Sequence, residues 1–295
     1  MRFSLLQSLR QIPIAVIDTE TTGISAAYGE RVIEVGIVRI EGGVVVREYQ
    51  QLIDPGRRIS AGVTVLTGIS QEMVAGKPRF ADQLPAMLSM LDGAAVLGHN
   101  INFDLSFLGS EFARARMDLG ERLGEMPVLD TVRIARRRFG RGGNSLPNLS
   151  RRLGVEPAVA HRALADAQTT AAVFEKLLEP LGGWNVSLCD AFVQQGGAIQ
   201  IRNCVAQSVL PLELEEAMES GRPVMMEYLD ALGARTQRMV QPLHIRRSGG
   251  ELILVAHCHL RNERRTFKIE RIVRLTREAD AQFPNPNDHS IPNNQ

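Results

Sequence analysis

The chain has 295 residues, more than one typical domain of about 100 to 150 residues, so two domains are expected and either can bury a core. A formal net charge of +1 excludes a polycation, and any binding of nucleic acid has to come from local charge. Cys189, Cys204 and Cys258 are far apart and odd in number, which argues against a disulfide framework or a structural zinc site and fits a reduced, cytoplasmic setting.

The opening MRFSLLQSLRQIP has apolar Phe3, Leu5, Leu6 and Leu9 but no apolar run of signal-peptide length, so it is read as a short helix leading into the first strand. No stretch approaches the roughly 20 apolar residues that cross a bilayer, and no membrane association is expected. From 12 to about 180, strand-like and helix-like segments alternate as in an α/β domain. Strands are predicted near 13–18, 31–40, 44–52, 94–99 and 126–130. Glu41-Gly42-Gly43 suits a tight hairpin between the second and third, so part of this sheet is antiparallel. Helices are predicted near 70–75, 80–91, 102–116, 131–139, 146–153 and 162–179. The last is rich in alanine and apolar on nearly every side, which predicts burial. Pro180, Gly182 and Gly183 then mark a break. A helical connector near 186–195 leads to alternating strand patterns such as ELILVAHCHL and RTFKIERIVRL, and the polar, proline-rich end is predicted to be disordered. The expected division is a first domain over 1–180, a connector over 181–205, a β-rich domain over 206–278 and a tail over 279–295.

Three acidic clusters stand where an acid is locally awkward. IPIAVIDTETTG ends a buried-type strand in Asp18 and Glu20, which two apart on a strand face one side, roughly 7 Å from each other. Carboxylates that close repel and have raised pKa values unless a cation neutralises them. The alternative is that the strand stops at Asp18 and both acids are solvated at the turn Thr21-Thr22-Gly23. HNINFDLSFL puts Asp104 in the first turn of a helix beside Phe103, Phe107 and Leu108, where the helix dipole alone favours an acid and Asn102 serves as N-cap. HRALADAQTTAAVFEKLL puts Asp166 inside the alanine-rich helix, where it needs a donor, a cation or a proton. His161 would point about 140° away from Asp166 on a regular helix. It joins Asp166 only from a looser segment before the helix, and is otherwise an exposed loop histidine.

Together, four acids and one histidine are the inventory for holding two divalent cations with oxygen ligands while a neutral imidazole activates water. Mg²⁺ or Mn²⁺ suits this set better than zinc, since no cysteine and only one histidine takes part. Between Thr131 and Val155, Arg133, Arg136, Arg137, Arg138, Arg141, Arg151 and Arg152 occur with no acid. They form either a cradle for a strand backbone or a solvated or partner-facing basic surface, with Phe139 the one aromatic for stacking.

The ordered motifs VIDTETTG, HNINFDLSFL and HRALADA resemble those of the DEDDh exonucleases, the DnaQ-like group of polymerase III epsilon-subunit type. The resemblance covers roughly residues 12 to 180. Leu66-Thr67-Gly68-Ile69-Ser70 is similar to the family segment that packs on the terminal nucleotide, and NSLPNLSRRLGV to its lead-in to the third motif. The fold implied is α/β, an RNase H-like mixed five-stranded sheet flanked by helices. By this resemblance Asp18 would bridge two metals, Glu20 and Asp166 would complete the tighter site, and Asp104 would support the second. His161 would be the general base that deprotonates the attacking water. The metals, about 4 Å apart, would stabilise the pentacovalent phosphate and the departing 3′ oxygen, releasing a nucleoside 5′-monophosphate. Thr21, Leu66, Asn100 and Phe103 are candidate contacts to the last nucleotide, although Leu66 and Phe103 fit a core role equally well.

RPVMMEYLDALGARTQRMVQPLHI and LILVAHCHLRNERRTFKIERIVRL resemble the WYL family, with Leu252-Ile253-Leu254 in place of its tryptophan-tyrosine-leucine triplet. Tyr228, Pro242, Arg261, Arg265, Phe267 and Arg271 match. A smaller β-rich WYL-like C-terminal domain is implied, with Arg261, Arg265 and Arg271 binding single-stranded nucleic acid or a nucleotide; the alternative is a strand with a merely soluble outer face. His257 and His259 share a strand face that Cys258 does not, so HCH does not converge on a metal without a bulge. Gln207-Ser208-Val209-Leu210-Pro211-Leu212 is similar to sliding-clamp-binding peptides but too short and degenerate to carry weight. The expected function is a metal-dependent 3′-to-5′ exonuclease on single-stranded nucleic acid, DNA favoured, with a polymerase or sliding clamp as candidate partner. Two alternatives stay open: a nucleic-acid or nucleotide sensor that only binds, and an RNA-trimming exoribonuclease.

Overall fold

The computed structural model describes residues 2–156, 161–201, 210–230, 233–249 and 251–277. Cys204, the clamp-like residues Gln207 to Val209 and the tail from 279 lie outside the described residues. Two compact units divide the chain, Met1–Leu212 and Glu213–Gln295.

In the first unit β1 (Ile14–Thr21), β2 (Val32–Glu41), β3 (Val44–Leu52), β4 (Ala95–Gly98) and β5 (Val128–Asp130) form a sheet of order β3-β2-β1-β4-β5. β3, β2 and β1 pair antiparallel, while β4 and β5 run parallel to β1. The β2–β3 hairpin turns on Gly42 and Gly43 at φ of 63° and 83°, a two-residue geometry that glycine adopts without steric cost. The helices are α1 (Ala61–Thr67), α2 (Gln71–Val74), α3 (Phe80–Leu91), α4 (Asn102–Arg114), α5 (Leu119–Leu123), α6 (Thr131–Phe139), α7 (Leu146–Leu153), α8 (Ala163–Leu178) and α9 (Leu188–Gln195).

Strand alternation sorts β1 into two cores. Ile14 and Val16, with Val38 and Ile40 of β2, pack on Ala167, Ala171 and Phe174 of α8. Ala15 and Ile17, with Val35 and Ile37, pack on Phe80 and Leu84 of α3 and on Leu105 and Phe107 of α4. α8 packs against β1, β2, α6 and α7, which accounts for most of its apolar surface, while Glu175 and Lys176 are exposed. The outer edge of β5 is covered by α9: the buried Gln195 amide accepts from the Asp130 N–H at 3.1 Å and donates to the Val128 carbonyl at 2.9 Å.

Several segments depart from expectation, among them the short helices α5 and Leu212–Ser220, which apolar periodicity does not predict. The short N-terminal helix is a single 3₁₀ turn, Leu9–Gln11. The preceding backbone pairs instead with the approach to α9: Leu9 N–H donates to Val186 O, Leu188 N–H to Gln7 O and Cys189 N–H to Leu5 O, each at 2.9 Å. These tertiary bonds occupy groups a helix would have needed. α1 was not predicted, because Val63, Thr64, Val65 and Thr67 are poor helix formers. Its ends define it instead: the Ser60 hydroxyl accepts from Val63 N–H, and Gly68 closes it at φ 70°.

α10 (Leu212–Ser220) begins at the boundary between the units. The second unit continues as an antiparallel sheet of order β10-β6-β7-β8-β9, made of β6 (Val224–Leu229), β7 (Arg235–Ser248), β8 (Glu251–Cys258), β9 (Glu263–Lys268) and β10 (Ile272–Arg277). β7 changes register between Pro242 and His244, where proline lacks the ladder donor. Val224, Met226, Val240, Leu254, Ala256, Cys258 and Phe267 are buried. Among the described residues no helix is long and apolar enough to cross a membrane.

Candidate active site

The side-chain period of β1 runs on past the apolar core. After Ile14 and Val16, the next two positions on the α8 side are Asp18 and Glu20. Across the antiparallel pair, Asp18 stands opposite Gly36 and Glu20 opposite Glu34. A side chain at position 36 has no room: a Cβ there would lie 2.2 Å from the Ala163 carbonyl carbon and 2.3 Å from the Leu164 nitrogen. The start of α8 therefore rests directly on the sheet at this pair, and it brings Asp166 in its first turn to the acids of β1.

His161 lies before α8 in the left-handed region at φ 61°, a conformation that costs a non-glycine residue about 1 kcal/mol or more. Its backbone N–H donates to Asp166 Oδ2 at 3.0 Å. The turn removes the angular mismatch of a continuous helix. One ligand atom each from Glu20, His161 and Asp166 lie within 4.8 Å of one another.

Asp104 comes from α4 and is buried, its Oδ1 accepting from the Thr19 N–H at 2.9 Å and the Thr19 hydroxyl at 2.7 Å. Thr19 lies between Asp18 and Glu20, so these bonds tie α4 to the same strand end. The N-cap of α4 is Ile101; Asn102, expected there, is the first helical residue.

Burial pushes all four acids upward. Asp18 and Glu20 stand well above the ordinary carboxylate range, with Asp166 the largest of the neighbouring negative charges that add to the effect in each case. Asp104 and Asp166 are raised to about 7, burial outweighing the Thr19 bonds to one and the His161 amide to the other. Asp18 and Glu20 remain half-buried and within reach of solvent. Crowded, partly desolvated carboxylates are stabilised by a divalent cation, and an oxygen-rich set with one imidazole fits a hard ion.

Two flanking groups were not anticipated. Glu34 is fully buried, yet it receives the Arg162 Nη2 at 2.6 Å on Oε1, the Arg162 Nε at 3.1 Å and the Ala163 N–H at 3.0 Å on Oε2, and the Gln50 amide at 2.9 Å. An acid inside the apolar run RVIEVGIV was the available signal. Asp130, at the end of β5, accepts from Asn100 N–H at 3.1 Å and Val132 N–H at 2.8 Å, and burial raises it to about 6. Nearby His99 bonds Thr131 Oγ1 through Nδ1 at 2.9 Å, and burial lowers it to about 3, so its ring is neutral.

Thr21 ends β1, its hydroxyl donating to Gly23 O at 2.7 Å, and Asn100 follows β4 at φ 58°. Thr21 at the carboxyl end of β1 and Asn100 just past that of the parallel β4 stand where open α/β sheets leave a crevice. Phe103, half-buried on α4, packs its ring 5.0 Å from Phe107; Leu66 is half-buried on α1. Several arginines of 133–152 serve the fold: Arg138 donates to Leu177 O, and Arg138 and Arg152 lie over the Phe139 ring at 5.1 and 4.8 Å.

In the second unit Arg261 is exposed in the β8–β9 turn, Arg265 stands on β9 at 3.8 Å from Glu263, and Arg271 is half-buried in the 3₁₀ turn Ile269–Arg271. The three occupy different elements. The Tyr228 hydroxyl accepts from Lys268 N–H at 3.1 Å, and its ring meets Phe267 edge-on at 5.3 Å. His257 and His259 approach at 5.1 Å while Cys258 is buried, and among the described residues they belong to no group arranged for a metal.

The family model described as Exonuclease matches residues 15–174, and that described as the WYL domain matches residues 211–277. The 3′-5′ exonuclease DinG of Bacillus subtilis is 38% identical over 167 residues, 56% of this chain and 18% of its own length. The DNA polymerase III subunit epsilon of Aquifex aeolicus is 35% identical over 167 residues, 56% of this chain and 80% of its own. This chain spans less than a fifth of DinG and of the PolC-type polymerases it also matches. In fold it is similar to the zinc-bound form of the E. coli ExoI–ssDNA complex, at a TM-score of 0.54 and 19% identity, over 83% of this chain and 54% of that one.

Proposed function

Because the chain belongs to the exonuclease family, in its DEDDh type, we propose that it removes nucleoside 5′-monophosphates from the 3′ end of single-stranded DNA. The observation that carries this reading is the meeting of Glu20, His161 and Asp166 within 4.8 Å, beside Asp18 and the Thr19-bound Asp104. Asp18, Glu20, Asp104 and Asp166 would hold two divalent cations, Mg²⁺ or Mn²⁺, which when bound supply neutralisation of the charge that develops on the scissile phosphate and the leaving oxygen.

His161 takes the proton of the attacking water as general base. Its left-handed turn and the bond from its amide to Asp166 keep the imidazole on the acidic cluster. Thr21 and Asn100, with Phe103 and Leu66 as apolar contacts, receive the terminal nucleotide. In the second unit Arg261, Arg265 and Arg271 contribute sequence-independent contacts to the phosphates of the strand. The free thiols of Cys189 and Cys258 fit a cytoplasmic setting, and the epsilon-subunit relative makes a polymerase the partner to test first.

The test uses 5′-labelled single-stranded DNA and RNA oligonucleotides with and without Mg²⁺ or Mn²⁺, comparing the native chain with Asp18→Ala and His161→Ala. A metal-dependent ladder from the 3′ end is expected, faster on DNA, lost in Asp18→Ala and reduced to a slow residual rate in His161→Ala. Tight binding without cleavage under every metal condition would overturn the enzymatic reading, and faster trimming of RNA would overturn the choice of DNA.

A further inference from the structure

Glu34 is a fully buried acid at the active end of the sheet to which the proposed reaction gives no part. Its partners are not scattered. Arg162 directly follows His161, Ala163 is the first residue of α8, and both bond to the one carboxylate. Gln50 of β3 also donates to that carboxylate, on Oε1 at 2.9 Å. Two positions along the same face of β2, Gly36 provides the clearance that lets the Ala163 backbone come this close. Glu34 and Gly36 thus form a socket for the three-residue turn that starts at His161.

That turn needs holding. A histidine in the left-handed region is disfavoured and relaxes toward negative φ unless its surroundings fix it, and such a change would swing the imidazole off Glu20 and Asp166. The Asp166 carboxylate takes the His161 amide. The guanidinium fork adds a second anchor one residue later, with planar two-point geometry that a flexible ammonium does not reproduce.

We infer that Glu34, acting through Arg162 and the Ala163 amide, is a positioning residue that holds His161 in its left-handed turn beside Glu20 and Asp166. The inference rests on the reading of His161 as the general base. A small misplacement of a catalytic group is enough to cost about a hundredfold in rate.

The experiment compares Glu34→Gln and Arg162→Lys, each alone and combined with His161→Ala, by steady-state hydrolysis of a short DNA oligonucleotide with Mn²⁺. In parallel, the rate at which diethyl pyrocarbonate modifies His161 is followed by mass spectrometry in metal-free buffer. Glu34→Gln is expected to lower kcat about a hundredfold and Arg162→Lys about tenfold, with KM little changed. Added to His161→Ala, either should change the residual rate by less than about twofold, because the base through which it acts is gone. Modification of His161 should speed up about threefold or more in both, as the turn opens locally. Full additivity with His161→Ala, or an unchanged modification rate in folded protein, would overturn the inference; if Glu34→Gln does not fold, Arg162→Lys decides on the same criteria. If the native chain does not cleave at all, the reading of the site fails, while the modification rates still report whether Glu34 holds the turn.

Discussion

Glu20 and Glu34 face each other across the β1–β2 pair on one side of the sheet, and the chain treats them in opposite ways. Glu34 is sealed from solvent and answered by a guanidinium, a backbone amide and a glutamine amide. Glu20 is left half-open, its pKa raised by burial and by Asp166, Glu34 and Asp104, with only a partial offset from Arg162. The fold has the means to neutralise a carboxylate at this spot and applies them to one of two neighbours. Asp18, Asp104 and Asp166 are raised as well, burial outweighing the Thr19 bonds to Asp104 and the His161 amide bond to Asp166. Such charge costs stability in the bare protein and is useful only when something from solution supplies the counter-charge.

The comparison is tested most strongly by removing one acid of each kind. Asp18→Asn should reduce kcat/KM about a thousandfold or more. In metal-free buffer the same change should raise the unfolding midpoint by roughly 2 to 4 °C, since it relieves repulsion. Glu34→Ala should do the reverse to stability: stranding Arg162 and the Ala163 amide costs about 3 kcal/mol, roughly 6 to 12 °C. Scanning calorimetry with EDTA measures both, and a lower midpoint for Asp18→Asn would break the distinction between the two acids.

Adding Mn²⁺ should stabilise the native chain by about 2.7 kcal/mol at a hundredfold excess over Kd. In Asp18→Asn most of that gain should vanish, whereas Glu34→Gln should keep it. Equal stabilisation of all three would place the ion elsewhere.

A smaller effect follows from pH. The folded pKa of Asp104 and Asp166 is about 7 against an ordinary 3.8, so the folded state prefers their protonated forms. Their contribution to stability is therefore present below about pH 4 and lost as pH rises through 7. Without metal, the native chain should lose stability relative to Asp104→Asn across that interval, and thermal melts at half-unit pH steps measure the difference. A native chain that gains on the variant would contradict the raised pKa.

The smallest predicted effect is in the second unit. Arg265→Ala removes one exposed cation, so single-strand affinity should fall modestly and the dependence of log K on log salt should flatten by about one unit. Titrations at several salt concentrations check this, and an unchanged slope would remove Arg265 from the interface.

Much of the first unit was legible in its residues. The strand positions, the Gly42-Gly43 hairpin and helices α3, α4 and α6 to α9 follow from apolar periodicity and turn chemistry. α1 escaped because its β-branched residues oppose helix and only Ser60 and Gly68 mark its ends. The N-terminal segment escaped because its backbone groups bond to residues some 180 positions away. Local pattern carries no information about such pairings.

At the active end of the sheet the division is sharper. Alternation puts Asp18 and Glu20 on one face of any strand that reaches them, and the extension of β1 to Thr21 makes that the face of Ile14 and Val16. Which acids would be neutralised was decided only by tertiary structure. Arg162 reaches Glu34 across 128 positions of chain, and it arrives because Gly36 lets α8 settle onto β2. A counter-charge is a property of space rather than of neighbouring residues, so the same amino acid is a buried, fully bonded anchor at 34 and an acid only partly offset by Arg162 opposite it at 20.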